Sequence, residues 1–452
     1  MTVVSRASER RFYPQMEGMR AVAAVGVLTT HVAFQTGAVG WPVVGPVLGR
    51  LDLAVALFFA LSGFLLWQPH ALAAWALAPE PGLIRYVRHR FWRIWPAYTV
   101  VVVVVLLLLP EARTSDPVVW LANLTLTQVF VPLSLTAGLT QMWSLSVEVL
   151  FYALLPVLAW SLVSLRGDRA RWRVVGVLGF GVVGLLWGPI AAHIPAPDGV
   201  EAQNWLIGHL PWFVAGLLLA ELTVWRRAVG TGSGDAGAGS GASGPNDAGA
   251  GSGASGPNDA AAGSGASVVP LPAPLEALCR WSENRPLMLA VFVLAYGLAC
   301  TPLAGPVGMG ELSALGFATK ILLGAIGAFA ILAPLALGDG PFRFLASSVM
   351  TTLGRWSYGI FIWHVAVLSV VFGLFGIIPF SGSFVLVWVI TVVLSVGIAA
   401  ASYAFVEDPV RRWAVGRSGS TLNPVEERHS EGGIPPAVAR STGFGGESSA
   451  TS

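Results

Sequence analysis

Charge is scarce in this chain. Of its 452 residues, 11% are Asp, Glu, Lys or Arg and 55% are apolar. A soluble chain carries about a quarter charged residues, so a protein dispersed in water is excluded. Lysine is almost missing: Lys320 is the single example, and all other positive charge is arginine. The two cysteines, Cys279 and Cys300, are too few for a disulfide framework and lack metal-ligand spacing. The histidines are scattered, with no two at the separation a zinc site uses, so no metal site is expected. A basic stripe for nucleic acid is also lacking; the arginines follow a different pattern.

What the chain does have is long apolar runs. A helix crossing the hydrocarbon core needs roughly 20 mostly apolar residues. About ten stretches qualify on that length: 14–37, 51–70, 95–110, 142–165, 174–194, 205–225, 286–304, 314–337, 353–375 and 384–406. The third is short and Val/Leu-rich, but lipid offers no partner to a lone strand, so it too is expected as a helix. The expected fold is therefore an all-α polytopic protein of the cytoplasmic membrane. The first run follows Arg6, Arg10 and Arg11 as a signal peptide would. It is too long, contains Arg20 and lacks a small-residue cleavage site, and is read as a retained span.

Arginine placement predicts orientation. With the N-terminus inside, all but Arg20, Arg50, Arg113 and Lys320 of the 26 basic residues fall in cytoplasmic connections or termini. That asymmetry is the positive-inside pattern; it requires an even number of spans and puts both termini in the cytoplasm. The layout is then an N-terminal segment 1–13, spans one to six over 14–227, a linker 228–267, spans seven to ten over 268–412, and a tail 413–452. The linker holds a tandem copy, AGAGSGASGPND, at 236–247 and 248–259. Such Gly/Ala/Ser sequence buries too little apolar surface to order itself, so a flexible cytoplasmic tether and a disordered tail are expected.

Ionisable residues within a span are functional candidates by default. Arg20 and His31 share the first span. Eleven residues are close to three helical turns, so both lie on one face, about 16 Å apart along the axis. A snorkelling arginine and a packing histidine fit the same spacing. The fourth span opens Gln141-Met-Trp-Ser-Leu-Ser-Val-Glu148-Val-Leu-Phe-Tyr152, with Ser144, Glu148 and Tyr152 on one face at four-residue spacing. Entering from outside, it places Glu148 near the expected depth of His31. The pair would make His31 a general base oriented by a carboxylate; a polar clamp between helices is the alternative.

The cytoplasmic connection after span two reads Arg85-Tyr-Val-Arg88-His-Arg90-Phe-Trp-Arg93. Arg90 and Arg93 would face the same way on a helix, and fixed guanidinium groups suit phosphate. In span two, Ser62 and Gly63 permit close helix approach and leave room for a slender ligand arm. Ser62 lacks the strand-turn-helix setting of a hydrolase nucleophile. His364 in span nine falls near mid-membrane, and Glu407, Asp408, Arg411 and Arg412 fall at the inner edge.

Taken together, these segments resemble acyltransferase family 3, a family of bacterial integral-membrane acyltransferases. Glu17-Gly-Met-Arg20 followed after ten residues by His31 is similar to its Arg-x10-His signature. Phe58-Phe59-x-x-Ser62-Gly63-Phe64, Arg90-x-x-Arg93, and Trp143-Ser144-Leu145-x-x-Glu148-x-x-Phe151-Tyr152 follow in the family's order. Gly354-x-x-Ser357-Tyr358-Gly359-x-x-x-Trp363-His364 and Glu407-x-Pro409-x-Arg411 close the series. Two positions depart: Glu17 stands where Asp is common, and Ala56 where an acidic residue is frequent, with Asp52 one turn earlier.

The resemblance implies transfer of an acyl group, usually acetyl, from cytoplasmic acyl-CoA to a hydroxyl of a glycan, lipid-linked sugar or glycosylated natural product. Acyl-CoA is then a substrate, and no bound cofactor is expected. His31 and Glu148 are the catalytic candidates, with direct transfer and an acyl-His31 intermediate both open. Arg20, Arg90, Arg93 and Ser62 are the acyl-CoA candidates, and Glu17, Trp143, Ser144, Tyr152, Ser357, Tyr358 and His364 supporting residues. A transporter or flippase of a lipid-linked sugar or acyl carrier uses the same residue types. A scaffold acting through the linker is the third reading.

Overall fold

The computed structural model describes residues 13–237 and 273–419, apart from 309, 311 and 339. All of the expected N-terminal segment but Tyr13, most of the expected linker and most of the expected tail lie outside the described residues. Among those described, all regular structure is helical.

Ten helices organise the protein: α1 (Pro14–Gln35), α2 (Ala54–Ala74), α3 (Leu83–Leu108), α4 (Met142–Ser161), α5 (Arg173–Leu185), α6 (Leu206–Gly237), α7 (Arg285–Ala299), α8 (Ala314–Leu337), α9 (Ser348–Phe375) and α10 (Phe384–Ser402). Their ends carry ordinary start and stop signals. Pro14 occupies the first turn of α1, where a missing N–H leaves no hydrogen bond unmade. The Ser313 and Ser347 side chains cap α8 and α9 by accepting backbone N–H bonds from Gly316 and Met350. Gly376 ends α9 in the left-handed conformation that glycine adopts without strain.

Among the described residues, eight segments are long and apolar enough to cross a bilayer. The other two expected spans differ for separate reasons. Helix α1 has the length, at 22 residues, but Glu17, Arg20, Thr29, Thr30 and His31 dilute its hydropathy. Helix α7 has 15 residues, about 22 Å at the helical rise, and falls short of the core thickness. The buried Arg50 side chain meets the far end of α7: its guanidinium donates to the carbonyls of Ala299 (2.6 Å), Ala304 (3.0 Å), Pro306 (3.3 Å) and Gly305. The last carbonyl of α7 and three in the turn that follows are thus satisfied inside the protein.

The basic connection expected after span two is helical: Arg85 to Arg93 form the first turns of the 26-residue α3. Helix α6 runs on to Gly237, and a further helix covers Asp408–Gly419.

Helix α6 is the hub. Its span is almost wholly enclosed by protein, whereas most of the peripheral segment Phe384–Ala414 is not. It packs on α2, α5 and α8; α1 lies between α2 and α9, with α10 outside α9 and α7 outside α8. The α2–α6 crossing depends on small residues. A Cβ at Gly216 would overlap the Ala60 carbonyl, and one at Gly63 the Phe213 carbonyl, so backbones touch without side chains between them. Gly216→Leu is expected to lower stability by about 1–3 kcal/mol through overpacking. A thermal melt in detergent followed by tryptophan fluorescence reads the shift; an unchanged midpoint would mean the crossing has slack.

Candidate active site

The chain before α4 decides where the site forms. Residues 125–141 have little helix yet are embedded by side-chain bonds to backbone. Asn123 Nδ2 donates to the Ser134 carbonyl (2.9 Å), Ser134 Oγ to the Gln128 carbonyl (2.8 Å), and Gln128 Nε2 to the Met142 carbonyl (3.1 Å). Gln141, fully buried, donates from Nε2 to the Ile362 carbonyl of α9 at 3.0 Å. Helix α4 therefore starts level with the middle of α9.

That starting depth corrects one expectation. Glu148 lies seven residues beyond Gln141, about 10 Å further along the helix, away from His31 and toward Arg20. Its Oε1 accepts from Tyr152 Oη at 2.6 Å and from Ser62 Oγ. No hydrogen bond joins it to His31. The Ser144 hydroxyl, on the same face by sequence, donates to the Gln141 carbonyl (3.2 Å), satisfying the first turn of its own helix. Trp143 packs on the buried His209 ring, 5.0 Å between centroids.

His31 instead meets His364. Its Nδ1 lies 2.9 Å from the Val27 carbonyl and 3.2 Å from His364 Nε2. His364 is buried, with Nδ1 2.7 Å from the Phe361 carbonyl and 3.2 Å from that of Ile360. Proton positions follow from this network. A neutral imidazole has one N–H and one lone pair. His364 Nδ1 faces only carbonyls, so it carries the proton and Nε2 presents the lone pair. His31 Nδ1 faces that lone pair and a carbonyl, so it also carries its proton. The nitrogen left with a free lone pair is His31 Nε2.

The second pole forms around Arg20. Its Nε donates to Ser357 Oγ at 3.5 Å, and Glu17, Arg93, Glu148 and Tyr152 lie within electrostatic reach of its guanidinium. The Arg90 guanidinium sits 5.6 Å from the Tyr152 ring centroid, a cation–π distance. Arg93 is exposed and lies near Arg20, Tyr152 and Glu407. Tyr358 Oη donates to the Ile94 carbonyl at 2.8 Å, tying α9 to α3 beside this cluster. The π-helical turn Tyr403–Glu407 brings Glu407 into the same group; such bulges are frequent at functional sites. Gly354 lets the two helices meet, since a Cβ there would overlap the Glu17 carbonyl.

Arg20, Arg90, Arg93, Ser62, Glu148, Tyr152, Ser357 and Tyr358 thus gather at one pole, and His31 with His364 at the other, linked by α1 and α9. Asp52, one turn before Ala56, pairs with Lys320 Nζ at 2.6 Å and lies within electrostatic reach of His31. Ala56 itself is buried in the apolar core.

Several polar groups carry no motif and escape a sequence reading. Gln141 and the His209 aromatic nest are two. The buried pair Arg173–Glu221 (2.8 Å), which Trp67 Nε1 also joins at 2.7 Å, is the third. An intramembrane Glu221 was a findable signal by the charge rule; its partner was not, because Arg173 reads as one more arginine at a span edge.

Known proteins bear on this arrangement. The family model described as "Acyltransferase domain" matches residues 13–404. A curated relative, the acyltransferase MdmB of Streptomyces mycarofaciens, is 27% identical over 235 residues, 47% of this chain and 59% of the relative. The peptidoglycan O-acetyltransferase OatA of Listeria monocytogenes is 26% identical over 204 residues, 42% of this chain and 30% of the relative. Each match thus spans less than two thirds of the relative's own length. No solved structure matches the chain.

Proposed function

The chain belongs to the acyltransferase family whose domain covers residues 13–404, and from that premise we propose that it is a membrane-bound O-acyltransferase. It takes an acyl group, most simply acetyl, from cytoplasmic acyl-CoA and delivers it to a hydroxyl of a glycan, a lipid-linked sugar or a glycosylated natural product. Its place is the cytoplasmic membrane, with the Arg20 pole inside. The observation that carries this reading is the pair of poles on α1: a cluster of guanidinium groups at one end and an imidazole with a free lone pair at the other.

The chemistry assigned to each pole follows from its groups. Arg20, Arg90 and Arg93 hold the phosphates of coenzyme A, where planar forked donors outperform a point charge. Glu148, fixed by Ser62 and Tyr152, keeps the Arg20 guanidinium in place and offsets its charge before the donor arrives. The slender pantetheine arm threads between the helices and brings the thioester toward His31. His31 Nε2 removes the proton of the acceptor hydroxyl as its oxygen attacks the thioester carbonyl. Collapse of the tetrahedral intermediate expels the coenzyme A thiolate, which takes that proton from His31 Nε2. An acyl-His31 intermediate uses the same nitrogen as nucleophile. The relatives' activities, acyl transfer in one and peptidoglycan O-acetylation in the other, support a hydroxyl acceptor of carbohydrate character.

Radiolabelled acetyl-CoA and the purified full chain in nanodiscs test the proposal, with free coenzyme A and protein-bound label as readouts. Turnover or labelling that disappears in His31→Ala supports it. Failure to bind acetyl-CoA, together with movement of an unmodified lipid-linked sugar across the bilayer, would favour a transporter.

Arg20→Ala and Arg93→Ala are each expected to raise KM for acetyl-CoA by about 10- to 100-fold, the worth of one charge-assisted hydrogen bond. The change in kcat should be much smaller. Steady-state kinetics over a wide acetyl-CoA range make the separation. A loss confined to kcat would remove these arginines from donor binding.

A further inference from the structure

The proposed base has an unusual partner. General-base histidines are commonly oriented by a carboxylate, which also stabilises the imidazolium that forms. Among the described residues no carboxylate hydrogen-bonds either ring: Glu148 is engaged by Ser62 and Tyr152, and Asp52 by Lys320. The group in contact with His31 Nδ1 among the described residues, besides its own backbone, is His364 Nε2 at 3.2 Å.

We infer that His364 is the positioning residue and proton-accepting partner of His31, so that the two rings work as a relay. The inference rests on His31 acting as base. In the resting pair the His31 Nδ1 proton is shared between the Val27 carbonyl and the His364 Nε2 lone pair. When His31 Nε2 receives the proton of the acceptor hydroxyl, the Nδ1 proton passes to His364 Nε2. His31 is then neutral again, and the positive charge rests on His364. There, Nδ1–H still donates to the Phe361 carbonyl at 2.7 Å, with the Ile360 carbonyl at 3.2 Å. Two carbonyl dipoles thus face the ring that takes the charge. On expulsion of the thiolate both transfers reverse, and the proton leaves from His31 Nε2 to sulfur. No proton is gained or lost over the cycle.

The arrangement is anchored on both sides. His31 and His364 are each bonded to a carbonyl four residues earlier in their own helices. The α1–α9 packing, with ring centroids 5.0 Å apart, sets the distance between them. Trp388 Nε1 of α10 donates to Thr29 Oγ1 at 2.8 Å, two residues before His31.

Two measurements decide the matter. The first needs no turnover. In 15N-histidine-labelled full chain in nanodiscs, both rings should be protonated at Nδ1. A scalar coupling should connect His31 Nδ1 and His364 Nε2 through their shared hydrogen, and vanish in His364→Gln. Protonation of His31 at Nε2, or absence of the coupling, overturns the inference. The second is kinetic, with acetyl-CoA as donor and a methyl glycoside as acceptor probe. His364→Leu should lower kcat by about 10²-fold, at the low end of general-base effects, with KM for acetyl-CoA within about twofold. His364→Gln retains an oxygen that can accept the Nδ1 proton bond but cannot take the proton, so it should rescue little. Restoration of kcat by His364→Gln would reduce His364 to an orienting group and overturn the relay. Unchanged kcat in His364→Leu beside an inactive His31→Ala overturns the inference and leaves the base standing. An active His31→Ala removes the base reading itself.

Discussion

His31→Ala is expected to lower acyl transfer from acetyl-CoA by roughly 10²- to 10⁴-fold, the usual consequence of losing a general base. Donor binding should survive. Arg20, Arg90 and Arg93 gather around Tyr152 and Glu148 rather than around His31, so the phosphates would be held at a pole this substitution does not touch. Equilibrium binding of labelled acetyl-CoA should therefore match the unsubstituted protein, while release of coenzyme A nearly stops. Folding should survive as well: His31 is half-buried, and its removal leaves the His364 Nδ1 bonds to Phe361 and Ile360 in place. A variant that binds and turns over acetyl-CoA normally would end the general-base and the acyl-enzyme versions together. A variant that neither binds nor turns over would mean the two poles are not independent.

The second large effect concerns stability. Arg173 and Glu221 form an ion pair whose side chains are 3% and 1% exposed. Arg173 Nε lies 2.8 Å from Glu221 Oε1, its Nη1 donates to the Leu162 carbonyl at 3.3 Å, and its guanidinium lies 5.2 Å from the Trp67 ring centroid. Arg173→Met strands the Glu221 carboxylate in the hub helix with the Trp67 indole as its one remaining donor. Breaking such a pair from one side destabilises by about 3–5 kcal/mol, whereas replacing both partners with apolar residues is often neutral. Arg173→Met should thus melt well below the unsubstituted protein, and Arg173→Met with Glu221→Met should recover most of the loss. A double variant as unstable as the single one would place the effect in lost guanidinium packing instead. Acetyl-CoA turnover per folded molecule should stay constant throughout, because neither residue adjoins either pole.

This pair shows where sequence reasoning stopped. The arginines at 166–173 read as one cytoplasmic cluster obeying the positive-inside pattern. Arg166 fits that picture, since it is half exposed and pairs with Glu80 at a surface position. Arg173 does not, because the turn Gly167–Trp172 that precedes α5 carries it against α6. Both are arginines in the same local pattern, and only the helix that packs beside each one separates them.

Composition alone determined the solvent of this protein. With so little charge and so many apolar runs, the chain must satisfy its backbone inside helices buried in lipid. Which residue types carry the chemistry was equally legible: a charge or imidazole placed among apolar residues is too expensive to be incidental. Close helix approach at Gly63 was visible too, since a residue without a Cβ lets backbones meet. Tertiary structure decided the partnerships. Helical spacing puts Arg20 and His31 on one face, but depth in a neighbouring helix depends on where that helix begins. Helix α4 begins level with Ile362 because Gln141 bonds its carbonyl. Glu148 therefore went to the arginine pole, and His31 to His364, a residue 333 positions away. Periodicity repeats within one helix and carries no information about the register between two. That register is set by side chains such as Gln141, whose hydrogen bonds must be completed wherever the packing buries them.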